Sequence, residues 1–110
     1  MTQDTYSDFV ASLFKPMSYG DSLAHAAMGI SGEAGELLDA IKKHWAYNKP
    51  LDTDNVIEEL GDLEFYMQAL RNLIGVPREH IINANVKKLS ARYHSGSYSD
   101  KQAQERADKS

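Results

Sequence analysis

The stretch Val56-Ile-Glu-Glu-Leu60-Gly-Asp-Leu63-Glu-Phe-Tyr-Met67-Gln-Ala-Leu70-Arg-Asn-Leu-Ile74 decides the fold. Its apolar residues Val56, Leu60, Leu63, Met67, Leu70 and Ile74 alternate by four and three, which places them on one face of a helix. Gly75-Val76-Pro77 stops that helix, with glycine just past the last periodic residue and proline soon after. At its start Thr53 or Asp54 is the expected N-cap. Upstream, a longer segment from Asp21 or Ser22 to Tyr47 carries Leu23, Ala27, Ile30, Ala34, Leu37, Ile41 and Trp45 at the same steps. Gly29, Gly32 and Gly35 weaken it, since each costs about 1 kcal/mol against alanine inside a helix. The segment is therefore either one helix, straight or kinked, or two pieces with Ser31 capping the second. Residues 5–15 form a first helix through Tyr6, Phe9, Val10, Leu13 and Phe14, and Pro16 disfavours helix at the residue before it. Residues 78–93 form a fourth, with Ile82, Val86, Leu89 and Tyr93 on one side. The expected fold is all-α, a compact four-helix bundle over residues 1–94. Residues 95–110 are polar, have almost nothing to bury, and are expected to be disordered.

A chain of 110 residues is one domain and buries only about two-thirds of its unfolded surface, so pairing with a second copy would help stability. It has no cysteine, hence no disulfide framework and no thiolate metal site. The formal charge of −4 argues against a nucleic-acid polymer as partner. No apolar run is long enough for a membrane span, and Met1-Thr2-Gln3-Asp4 lacks a signal peptide's basic and apolar regions. These features predict a soluble, cytoplasmic protein with no membrane partner.

Two acidic pairs stand out: Glu33-x-x-Glu36 and Glu59-x-x-Asp62. At three-residue spacing each pair lies on neighbouring turns of one helix face, where like charges repel. A single such pair is usually a solvated face, and its position is what gives it meaning. Glu59 lies about 60° from the centre of the third helix's apolar stripe, at the core edge, where a carboxylate is costly unless paired or bound to metal. On the second helix the matching flank is Ser22, Ala26, Gly29, Glu33, Glu36 and Ala40, and small neighbours let another helix or a ligand approach closely. If the helices pack antiparallel, the pairs converge. Carboxylates without histidine or cysteine make a hard oxygen site suited to Mg²⁺, with Mn²⁺ as the alternative. On the fourth helix Asn85, Lys88 and Arg92 lie in one row that can grip a triphosphate. Basic residues near a helix C-terminus are also favoured by the macrodipole alone.

The blocks Gly32-Glu33-Ala34-Gly35-Glu36-Leu37, Glu58-Glu59-Leu60-Gly61-Asp62-Leu63 and Asn85-Val-Lys-Lys88-Leu89-Ser-Ala-Arg92-Tyr93 resemble, in order, the three motifs of MazG-like nucleotide pyrophosphohydrolases. The resemblance covers residues 20–93. It implies a helical bundle working as a homodimer or homotetramer that hydrolyses nucleoside triphosphates to monophosphates and pyrophosphate, with a role such as nucleotide-pool house-cleaning. It implies that Glu33, Glu36, Glu59 and Asp62 bind the metal, with Glu33 or Glu36 acting on water. It further implies that Asn85, Lys88, Arg92 and Tyr93 meet the phosphates. Tyr66 matches a position near the nucleotide in some relatives. Trp45 lies where relatives carry base-stacking aromatics, but it also continues the apolar stripe. His25 and Lys49 are weaker candidates, and Asp39 has no assigned role. The family archetype carries two such domains, and larger dimeric dUTPase relatives carry further acids and helices; neither is found here. Two rival readings share these residues: a non-catalytic helical interaction module, and a hydrolase of another phosphorylated metabolite.

Overall fold

Ser18 opens the longest described helix. Its hydroxyl accepts from the Asp21 amide at 3.3 Å, satisfying one of the orphan donors that every helix start carries. Thr2, Asp52 and Ser99 do the same for three other helices, accepting from the amides of Thr5, Asn55 and Gln102. The computed structural model describes residues 1–109. Its helices are α1 (Gln3–Leu13), α2 (Tyr19–Tyr47), α3 (Thr53–Ile74), α4 (Arg78–Arg92) and α5 (Asp100–Glu105), followed by a 3-10 turn, Ala107–Lys109. Every regular element among the described residues is helical, so the fold is all-α as the periodicity predicts.

Two caps differ from expectation. Ser18 starts α2 a few residues before Asp21, and Asp52 rather than Thr53 or Asp54 caps α3. Ser31 caps nothing, because α2 runs unbroken through Gly29, Gly32 and Gly35. Gly29 explains itself: a methyl group there would run into the Tyr66 ring, whereas Gly32 and Gly35 face open space. Asn48 and Gly75 end α2 and α3 in the left-handed region (φ 52° and 67°), which glycine and asparagine adopt at low cost.

The chain divides into two compact units, Met1–Gly75 and the residues from Val76 onward. The division therefore falls at Gly75-Val76, inside the 1–94 domain read from the sequence.

In the first unit α3 packs against both α1 and α2. Gln3 meets Gln68 and Ser7 meets Asn72, so α1 and α3 run parallel in one register. Glu33 meets Glu59 while Gly29 meets Tyr66, so α2 and α3 run antiparallel. The α1–α3 seam is polar. Gln3 Nε2 donates to Gln68 Oε1 (2.6 Å), Ser7 Oγ to Asn72 Oδ1 (2.7 Å), and Asn72 Nδ2 to the Ser7 carbonyl (3.0 Å). Buried Arg71 donates to Gln68 Oε1 and pairs with Glu64. No described buried side-chain polar atom lacks a partner, as burial of polar groups requires.

The side of α2 that is covered also differs from expectation. Ser22, Ala26 and Ala40 are buried, while Ala27, Ala34, Ile41 and Trp45 of the larger stripe are exposed. Small residues let α2 and α3 approach closely, and close approach covers the small-residue row before the bulky one. The apolar core is correspondingly slight: Val10, Ala26, Ala40 and Ala69. Trp45 is 82% exposed, so the reading of it as a core residue is overturned.

In the second unit the apolar α4 residues Ile82, Val86 and Leu89 are exposed. The expected disordered tail contains α5, whose start is capped by Ser99. The Tyr93 and Tyr98 rings lie 5.4 Å apart, and Arg92 holds Asp108. Local capping and one ion pair thus order a segment that has little to bury.

Candidate metal centre

The close α2–α3 approach that buries Ala26 also carries Glu33 to the face of α3. Glu33, Glu59 and Asp62 each offer a carboxylate oxygen, all lying within 4.8 Å of one another. Glu33 and Glu59 are half-buried and Asp62 is exposed. Three carboxylates at this spacing cannot all carry full charge comfortably. The Glu59 carboxyl titrates above its ordinary range, first because of burial, then through a hydrogen bond with Glu33, then through the charges of Glu33, Glu36 and Asp62. A shared proton relieves the crowding in part. A divalent cation relieves it more fully, and the donor set consists of hard oxygens with no nitrogen or sulfur among them, which fits Mg²⁺ or Mn²⁺.

Glu36 is exposed and stands outside the converging trio, near enough for its charge to act on Glu59. Tyr66, one turn beyond Asp62, lies on Gly29 with its ring 5.9 Å from His25 and 5.3 Å from Phe65. His25 in turn meets Phe14 edge-on at 5.0 Å. This aromatic chain joins α2 and α3 to Phe14 just after α1. It went unrecognised in the sequence because His25 lies off the apolar stripe. Tyr6 was missed as a neighbour of the acids: its hydroxyl titrates high, mainly from burial and then from Glu64, with Arg71 opposing and Asp62 adding. Asp39 is exposed. Lys49 contributes its carbonyl, which accepts from His44 Nδ1 at 2.5 Å across the end of α2.

The phosphate candidates belong to the second unit. Asn85 and Lys88 are exposed on α4. Arg92, at its end, holds Asp108 through two hydrogen bonds, Nε to Oδ1 at 2.9 Å and a terminal amino nitrogen to Oδ2 at 3.3 Å.

Residues 22–96 match the MazG nucleotide pyrophosphohydrolase domain. The chain belongs to that family. The MazG match takes in all four acids of the two pairs as well as Asn85, Lys88, Arg92 and Tyr93, and it ends before α5. The chain is also similar to the Gene 37 protein of Mycobacterium phage L5, with 31% identity over 80 residues, covering 69% of this chain and 70% of that protein. No solved structure matches. No described helix of this MazG chain is long and apolar enough to cross a membrane.

Proposed function

We propose that this chain is a magnesium-dependent nucleoside triphosphate pyrophosphohydrolase. The observation that carries the reading is the meeting of Glu33, Glu59 and Asp62 from two helices, within a family of nucleotide pyrophosphohydrolases. With Glu36 beside them, these acids would hold the cation. Magnesium, when bound, withdraws charge from the triphosphate and eases attack at the α-phosphorus. Glu36, exposed and outside the trio, orients the attacking water and takes its proton; Glu33 is the alternative. Water oxygen bonds to the α-phosphorus, the bond from that phosphorus to the bridging oxygen breaks, and pyrophosphate leaves with the electron pair. Asn85, Lys88, Arg92 and Tyr93 take the phosphate-binding role that the family resemblance assigns them, their cationic groups countering charge on the leaving pyrophosphate. The family resemblance assigns Tyr66 a position near the nucleotide, and exposed Trp45 is available for stacking.

The exposed apolar side chains support self-association. Leu38, Trp45 and Ile57 are each more than 60% exposed, and a second copy covering them would remove apolar surface from water. We infer a homodimer or homotetramer.

Release of pyrophosphate from a panel of canonical and modified nucleoside triphosphates, with and without Mg²⁺, tests the activity. Turnover that needs the metal and nearly vanishes in Glu36→Gln and Glu59→Gln, with helicity unchanged, is expected. Metal-independent turnover would refute the role given to the acids, and absent turnover across the panel would leave the interaction module or a hydrolase of another phosphorylated metabolite in its place.

A further inference from the structure

Arg92 is the one candidate phosphate ligand whose described guanidinium is engaged by a carboxylate. Its partner, Asp108, lies sixteen residues on, in the 3-10 turn that follows α5. The contact is two-pronged and well covered: 16% of the Arg92 side chain and 2% of the Asp108 side chain remain exposed. A fork of two parallel N–H donors meeting two oxygens is also how arginine receives a phosphate. The segment is built to deliver that carboxylate. Ser99 caps α5, the Tyr98 hydroxyl donates to Asp100 (2.5 Å), and Arg106 takes the left-handed conformation (φ 51°) that turns the chain back toward α4. The MazG match stops at residue 96, so the device lies outside the shared domain.

We propose that the segment Asp100–Lys109 is an intramolecular stopper, in which the Asp108 carboxylate occupies Arg92 in place of a substrate phosphate. This rests on the reading of Arg92 as a phosphate ligand. The pairing holds Arg92 ready in its forked geometry but unavailable, and nucleotide binding must displace the turn. The apparent dissociation constant then rises by the ratio of closed to open states. Arg92 titrates above its ordinary value chiefly through the hydrogen bond with Asp108, in keeping with a tight pair. A single ion pair at the upper end of the measured range for such pairs sets that ratio at about fivefold.

The test compares Asp108→Asn and Asp108→Ala with wild type in the full chain, with helicity checked by circular dichroism. KM for the preferred nucleoside triphosphate should fall about fivefold in both variants while kcat stays unchanged. Hydrogen exchange at residues 100–109 of the wild type should rise when a non-hydrolysable nucleoside triphosphate binds with Mg²⁺. An unchanged or raised KM in the Asp108 variants, or protection of residues 100–109 by the nucleotide, overturns the stopper and makes Asp108 a strut that positions Arg92. Arg92→Ala separates the two layers. A raised KM there with no effect at Asp108 defeats the stopper alone, whereas no effect of Arg92→Ala defeats the phosphate role beneath it.

Discussion

Replacing Gly29 by alanine sets two effects against each other, and the structure says which wins. At an open helix position the change to alanine stabilises by about 1 kcal/mol. Gly32, Gly35 and Gly61 are such positions, with nothing near an added methyl. At Gly29 the methyl group would enter the Tyr66 ring, striking Cγ as well as the ring edge. That ring has little room to swing, with His25 on one side and Phe65 on another. Overpacking of this kind costs about 1–3 kcal/mol. Gly29→Ala should therefore be neutral to about 2 kcal/mol destabilising, while Gly32→Ala gains about 1 kcal/mol. Urea denaturation of the metal-free protein, followed by circular dichroism, reads both, provided the slope is unchanged. In a Tyr66→Ala background the Gly29 penalty should disappear, with a coupling of about 1–3 kcal/mol in the cycle. If Gly29→Ala raised the midpoint as much as Gly32→Ala does, the α2–α3 approach that brings the acids together would be wrong.

Further expectations concern the acids, the α1 seam and the exposed aromatic. Because Glu59 titrates high in the fold, the folded state binds its proton more tightly than the unfolded chain does. The resulting penalty is full above the folded pKa and is relieved as pH falls toward the ordinary glutamate value. Metal-free wild type should thus gain stability from this group on mild acidification, in urea melts with chelator, and Glu59→Gln should remove that gain. Arg71→Ala, which leaves Gln68 and Glu64 without their buried partner, should cost about 1–3 kcal/mol by the same melts. Trp45→Ala should change subunit stability by no more than about 0.5 kcal/mol, since the ring is exposed. If the ring serves self-association or base stacking, sedimentation or KM will move instead.

The helices were legible because each carries a period and a punctuation mark: the four-three step of α3, Gly75 after it, Pro16 after α1. What the period misjudged was which side of α2 would be covered. Hydropathy favours Ile41 and Trp45, yet backbone proximity favours Ala26, Gly29 and Ala40, and only the pairing with Tyr66 shows that proximity wins. The same small-residue flank marks Glu33 as a candidate in the sequence, and Glu33 meets Glu59 and Asp62 in space. Glu36, one turn along, follows the sequence pattern but stands outside the trio. Gln68 and Arg71 were invisible as seam residues because polar side chains read as solvent-facing until partners such as Gln3 and Glu64 are known. Asp108 was invisible for a related reason: a lone acid in a polar stretch acquires meaning only when Arg92 is found against it.

The most direct measurement on the acidic centre is titration with Mn²⁺ followed by electron paramagnetic resonance, which reports free metal. Wild type should deplete the free-ion signal, and Glu33→Gln, Glu59→Gln and Asp62→Asn should each lose most of that capacity while keeping their helical content. Equal binding by wild type and all three variants would contradict a shared site between α2 and α3.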